Sequence, residues 1–176
     1  MIDFSHNHFR LFGLPERFGI DTAELDRAYR ALQGEVHPDR FAAAAEAERR
    51  LALQSSARVN EAYQTLRDPV RRAHYLLSLH GIDAFGERDT ALAHDFLERQ
   101  LERREAAGNA LAALDASRLE ALATEVRADA GRVERQLATR LDREAAWDAA
   151  RSDVRELRFL SKLAADIDAM QAELEF

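Results

Sequence analysis

His37-Pro38-Asp39-Arg40-Phe41 separates two stretches whose apolar residues recur at helical spacing, and its reading decides the fold. Pro38 has no amide proton and a fixed φ, so it cannot continue a helix, and its ring also drives His37 out of the α region. A turn between two helices is therefore predicted, presenting an imidazole and a carboxylate on a stiff frame. Upstream, Asp21 and Glu24 form a variant of the capping box, and Leu25, Ala28, Tyr29, Leu32 and Val36 recur at helical spacing. This predicts a helix over about 22–36, with Arg27 and Arg30 on its opposite, solvated face. Downstream, Leu51, Ser55, Val59, Ala62, Tyr63 and Leu66 mark one stripe of a helix over about 42–67, stopped by Asp68-Pro69. The two stripes face each other in an antiparallel hairpin. That arrangement is expected to bury Tyr29 and Tyr63 and to leave His37 and Asp39 exposed at the hairpin's end.

Ahead of the hairpin, Phe9, Leu11, Phe12 and Leu14 form an apolar run closed by Gly13 and Pro15. It is too short for a core helix of its own and reads as a lid on the elements that follow. After the hairpin a short helix over about 70–80 ends at Gly81, the residue type favoured just past a helix C-terminus. Residues 82–89 break the pattern and contain Gly86, which places a linker there, between a first domain of residues 1–81 and a second of residues 90–176. From Thr90 onward there is no proline. Helical segments over about 91–107, 117–141 and 144–175 are expected, separated near Gly108-Asn109 and Asp142. The spacings of Leu119, Leu122, Val126, Val133, Leu137 and Leu141, then of Trp147, Val154, Leu157 and Leu160, predict a three-helix bundle.

Only 7 Gly and 3 Pro occur in 176 residues, and Ala, Leu, Glu and Arg are abundant, so the expected class is all-α. With 47% hydrophobic and 32% charged residues the chain can bury a core and is not of disordered composition. The absence of cysteine excludes disulfides, thiolate metal ligation and a Cys nucleophile. No run of about 18 apolar residues occurs, and the start lacks the basic and apolar regions of a signal peptide. No membrane association and a cytoplasmic location are expected. Residues 1–80 carry 11 Arg against 11 acidic residues, whereas residues 81–176 carry 14 basic against 21 acidic ones. Binding of nucleic acid through the overall field is therefore disfavoured.

No Gly-rich phosphate loop, His-Glu-x-x-His zinc helix or strand-borne nucleophile elbow is present. His6 and His8 near the start, and His74, His80 and His94 near helix ends, read as surface polar residues. Glu98, Glu102 and Glu105 share a helical face beside Arg99 and Arg103, which reads as a solvated face laced with ion pairs rather than a metal site. Neither a metal nor a cofactor is expected. His37 and Asp39 would be base and orienter in a small helical enzyme, but a protruding turn offers no water-excluding pocket.

Arg27-Ala28-Tyr29-Arg30-Ala31-Leu32, His37-Pro38-Asp39-Arg40-Phe41 and Asn60-Glu61-Ala62-Tyr63-Gln64-Thr65-Leu66-Arg67-Asp68-Pro69 together resemble helix two, loop and helix three of a J-domain, in order and spacing. J-domains stimulate ATP hydrolysis by chaperones of the DnaK/HscA class. The resemblance assigns chaperone binding to His37, Pro38, Asp39, Arg27, Arg30 and Arg40. Gly34-Glu35-Val36 departs from the basic residues and tyrosine of many J-domains, so the positive face is thinner here and suits specialisation for one chaperone.

Phe9-Arg10-Leu11-Phe12-Gly13-Leu14-Pro15, the run from His74 to Gly81, the run from Phe96 to Glu105, and Trp147-Asp148-Ala149-Ala150 with Leu157-Arg158-Phe159-Leu160 resemble the HscB family of iron-sulfur assembly co-chaperones over nearly the whole chain. The resemblance implies a J-domain followed by a bundle that carries the cluster scaffold protein, IscU, to the chaperone HscA. The chain would then be an ATPase activator and not itself an enzyme. Its scaffold surface maps to Leu97, Leu101, Glu102, Glu105 and Phe159, with Glu98 standing where a methionine is familiar. Delivery of a different client through the same bundle is the alternative.

Overall fold

The computed structural model describes residues 2–86 and 92–174. They form α1 (His8–Leu11), α2 (Thr22–Val36), α3 (Glu46–Arg67), α4 (Pro69–Leu79), α5 (His94–Ala112), α6 (Ala116–Asp142) and α7 (Trp147–Leu174), with a 3-10 turn, Pro38–Phe41, between α2 and α3. No strand occurs among the described residues, and the class is all-α as the composition predicts. Contacts divide the chain between Leu76 and Leu77, inside α4, into two compact units.

In the first unit, α2 starts where its sequence dictates. The Asp21 carboxylate accepts from the amides of Ala23 and Glu24 at 2.8 and 3.3 Å, satisfying two of the helix's orphan donors. The helix ends at His37, whose ψ of 128° is the extended conformation that a following proline imposes. Helix α3 begins at Glu46, four residues later than its pattern predicts. The amides of Ala42 and Ala44 donate to the Asp39 and Phe41 carbonyls three residues back, so the tight turn continues through alanines that would otherwise favour a helix. Both α1 and α2 pack on α3 around Phe9, Leu25, Val59, Ala62 and Leu66, all fully buried.

Tyr63 is buried as expected, but Tyr29 is only half-buried. The two rings stack at 3.9 Å, and the Tyr29 hydroxyl reaches the solvent edge of the seam to donate to Asn60 Oδ1 at 3.0 Å. A second correction concerns His8, which is not a surface residue: its ring is buried and stacks on Tyr75 at 4.2 Å, while its amide donates to the Tyr75 hydroxyl. Burial lowers its pKa, and the nearby Arg58 charge adds to that effect.

In the second unit, α4 closes with Gly81 at φ +74°, where the amides of Gly81 and Ile82 return to the Ser78 and Leu77 carbonyls. The following residues, expected within a linker, are tied to α7 as far as they are described. Ala84 is fully buried, and its carbonyl accepts from Arg155 Nε at 2.7 Å; Arg151 Nε donates to the Asp83 carbonyl at 3.1 Å. Residues 87–89 of the expected linker, with Thr90 and Ala91 of the expected helix start, lie outside the described residues. Helix α5 runs through Gly108 and Asn109, where a break was expected, because Ala107 and Ala110 on either side pack into the core. The chain turns at Leu114 instead, a non-glycine residue at φ +54°, with Asp115 and Leu114 amides capping the Ala110 and Leu111 carbonyls. Leu119, Leu122, Val126, Val133 and Leu137 of α6 and Val154, Leu157, Leu160 and Ile167 of α7 are buried to within 1%. Each such side chain is worth roughly 1.5–3 kcal/mol removed from water.

An ion pair lies inside this bundle. Asp153, 4% exposed, accepts from Arg140 Nη1 at 2.6 Å, and the same guanidinium donates to the Ala149 carbonyl at 3.1 Å. Burial pushes the Asp153 carboxyl up to about 6, against the downward pull of Arg140. A folded-state pKa above the unfolded one favours the folded protein fully below about pH 4, and that contribution is lost as pH rises through about 6. Chemical denaturation across this range should show wild type losing stability relative to Asp153→Asn by up to about 3 kcal/mol. A difference that stays flat from about pH 4 to 7 would show that the carboxyl titrates normally.

Candidate partner-binding surfaces

The turn between α2 and α3 is braced by its own side chains. His37 Nδ1 accepts from the Asp39 amide at 3.3 Å, so the imidazole caps the turn it precedes. Arg40 folds back, and its Nη1 donates to the Gly34 carbonyl at 2.8 Å, satisfying one of the acceptors left open at the end of α2. These two bonds hold Pro38 at the crest and turn the Asp39 carboxylate outward, with its side chain 89% exposed. His37 Nδ1 lies 3.5 Å from an Asp39 oxygen, but both groups face solvent. A cavity of about 430 Å³ in this unit is lined by residues including Leu32, Val36, Phe41 and Leu51, and neither His37 nor Asp39 lines it. The arrangement suits docking onto a partner more than acid-base chemistry, which needs exclusion of water.

Arg27 and Arg30 are exposed on α2 and make no ion pair among the described residues. Arg40, by contrast, is engaged in holding the turn, so the cationic face is carried by Arg27 and Arg30. Sequence reasoning missed the polar seam that fixes this face: Tyr63 donates to Asp26 Oδ1 at 2.9 Å and accepts from Arg67 Nη1 at 2.7 Å. Gln33 Nε2 donates to Asn60 Oδ1 at 2.6 Å. Asp26 and Gln33 lie between the apolar positions of α2, where helical periodicity carries no information about partners.

In the second unit, Leu97, Leu101, Glu102 and Glu105 are exposed on α5 and Phe159 on α7. The apolar three are conspicuous, at 42%, 59% and 37% exposure. Phe159 stands edge-on to Phe96 at 5.9 Å and shares a shallow cavity with Gln100 and Arg104 of α5. At 3.6 residues per turn, Gln100 and Arg104 precede Leu97 and Leu101 around α5 by roughly a sixth of a turn. Phe159 therefore abuts the leucine stripe, with Glu105 continuing it.

The expected ion pairs along α5 are absent among the described residues. Arg103 pairs with Asp129 of α6 at 2.8 Å and Arg104 with Asp166 of α7 at 2.8 Å, so the arginines secure the bundle. Burial works against ionisation of Asp129, but hydrogen bonds from Arg103 and Arg132 outweigh it and lower its pKa. Glu98, Glu102 and Glu105 are left facing solvent.

Residues 7–75 match the family model described as the DnaJ domain, and residues 92–168 the one described as the HSCB C-terminal oligomerisation domain. The co-chaperone protein HscB homolog of Paraburkholderia phymatum is 47% identical over 175 residues, covering 99% of both chains. That of Burkholderia multivorans is 48% identical over 176 residues, with the same coverage. This chain belongs to the HscB co-chaperone family. Among solved structures, the chaperone HscB from Vibrio cholerae superposes with a TM-score of 0.86 at 40% identity, covering 96% of this chain and 99% of that one. Human co-chaperone HscB superposes at 0.87 with 27% identity, covering 95% and 83%. In this chain the turn between α2 and α3 and the exposed α5–α7 face lie in separate compact units.

Exposure of the α5–α7 apolar group makes a prediction about stability. Changing Leu97, Leu101 and Phe159 together to alanine should leave a cooperative thermal melt, costing about 0.5 kcal/mol for each leucine and about 1 for the lost Phe96 contact. Were they core residues, each would cost about 2–5 kcal/mol and the second unit would unfold, seen as loss of helical circular dichroism.

Proposed function

We propose that this chain carries an IscU-type iron-sulfur scaffold protein to a specialised chaperone of the DnaK/HscA class and stimulates that chaperone's ATPase. Hydrolysis belongs to the chaperone. Arg27 and Arg30 steer α2 to an acidic patch on the ATPase, and the exposed Asp39 carboxylate pairs with a basic group there. His37, Pro38 and Arg40 hold that carboxylate in place. Binding the hydrolysis-competent state better than its alternative shifts the chaperone toward it. The scaffold docks on Leu97, Leu101, Glu102, Glu105 and Phe159, which raises its local concentration at the chaperone's peptide site.

The observation behind this reading is the exposure of three large apolar side chains at one place on the bundle. Such a patch, rimmed by acids, is what an apolar partner surface with basic surroundings would recognise. Residues 1–81 act as the J-domain and residues 90–176 as the carrier in this scheme, in the cytoplasm; no helix among the described residues is long and apolar enough to cross a membrane.

Two variants separate the functions. His37→Gln should abolish ATPase stimulation while binding scaffold normally, with stability within about 0.5 kcal/mol of wild type. The Leu97, Leu101, Phe159 triple alanine variant should do the reverse, losing about thirtyfold or more in scaffold affinity, because partial loss over three apolar contacts exceeds about 2 kcal/mol. Stimulation by a folded His37→Gln protein, or full scaffold affinity of the triple variant, would refute the corresponding half of the scheme.

A further inference from the structure

Phe159 has a second side. Beside it, a cavity of about 330 Å³ is lined by Phe85, Leu92, Arg155, Arg158, Phe159 and Lys162. Its walls are apolar, and among the described residues every polar one lining it is a cation, in a half of the chain with 14 basic against 21 acidic residues. Arg155 is buried, with Nε on the Ala84 carbonyl. The Arg158 guanidinium lies over the Phe85 ring at 4.4 Å, which fixes the charge at the rim. Lys162 stands one turn further along α7, exposed. Neither Arg158 nor Lys162 makes an ion pair among the described residues, unlike Arg103 and Arg104 across the bundle. Like charges four residues apart on a helix repel, so the pair costs the isolated chain something that an anion from outside would relieve.

We propose that this cavity is a receptor for an acidic side chain of the scaffold protein. A neighbouring apolar side chain of the same segment would lie against Phe85, Leu92 and Phe159, while its aspartate or glutamate enters between Arg158 and Lys162. This rests on the reading of the α5–α7 face as the scaffold surface and adds a direction to it. The leucine stripe is flanked by Glu102 and Glu105 on α5 and by Arg158 and Lys162 on α7, so the surface is polar in the electrical sense. A partner fits one way round and meets like charges the other way.

Calorimetric titration of the purified scaffold protein into the full chain tests this, using Arg158→Glu/Lys162→Glu, Lys162→Glu alone, and Arg118→Glu/Arg135→Glu as a control of equal charge on α6. At about 50 mM salt the α7 double variant should bind about tenfold more weakly or worse, and the gap should narrow as salt approaches about 0.5 M. The control should stay within about threefold of wild type. If the double variant fails to fold, as its melt would show, Lys162→Glu carries the test, since that side chain makes no hydrogen bond or ion pair among the described residues. Unchanged affinity of the α7 variants, or an equal loss in the control, overturns the proposal. So does wild-type self-association, seen by sedimentation and lost in the α7 variants, which would make a second copy the occupant. Failure of the underlying reading looks different: the triple alanine variant would then bind scaffold as tightly as wild type.

Discussion

A proline nitrogen carries no hydrogen and its ring holds φ near −65°, so at Pro38 the α2 ladder has to stop and His37 has to extend. Most of what the first unit presents depends on that constraint. Once the chain is diverted, His37 and Arg40 fold their side chains onto the freed backbone groups at Asp39 and Gly34. The Asp39 carboxylate, 3.5 Å from His37 Nδ1, points outward. A glycine at position 38 would permit the same path but would not compel it, and the carboxylate would sample many directions before meeting a partner.

The two proposed docking faces use opposite physical means. The turn is small, polar and rigid, and relies on a single charge-assisted contact placed by local bonds. The α5–α7 face is broad and apolar at its centre, and relies on area. Its charges are sorted by the packing beneath: two of the three arginines of α5, Arg103 and Arg104, are drawn to Asp129 and Asp166, which leaves that helix acidic outside. On α7, Arg158 rests on Phe85 instead and keeps its charge available. Ion pairs between the helices thus determine which charges a partner can see.

Helix existence and pairing were legible in the sequence because periodicity marks α2, α6 and α7 and, for α2, agrees with the Asp21 cap. Boundaries were less so, for identifiable reasons. Ala42–Ala45 favour a helix by propensity, yet the amides of Ala42 and Ala44 already serve carbonyls three residues back. Gly108 reads as a stop, but flanking alanines buried against the bundle retain it, and the real turn at Leu114 uses a left-handed residue that no glycine announces. His8 lies in a short helix whose burial depends on Tyr75, far along the chain. The site residues from His37 to Arg40, and the leucines of α5, stood out through motif resemblance. The tyrosine-asparagine-glutamine seam and the α7 cations depend on which helices meet, which spacing along one helix does not encode.

If the two proposed faces work together, a single-turnover ATPase measurement will register it. The rate of one round of hydrolysis by the partner chaperone would be followed with this chain alone, with scaffold alone and with both. Stimulation by the chain alone is expected, with a rate in the presence of both that exceeds the product of the separate enhancements. A rate with both no greater than that with scaffold alone would contradict it.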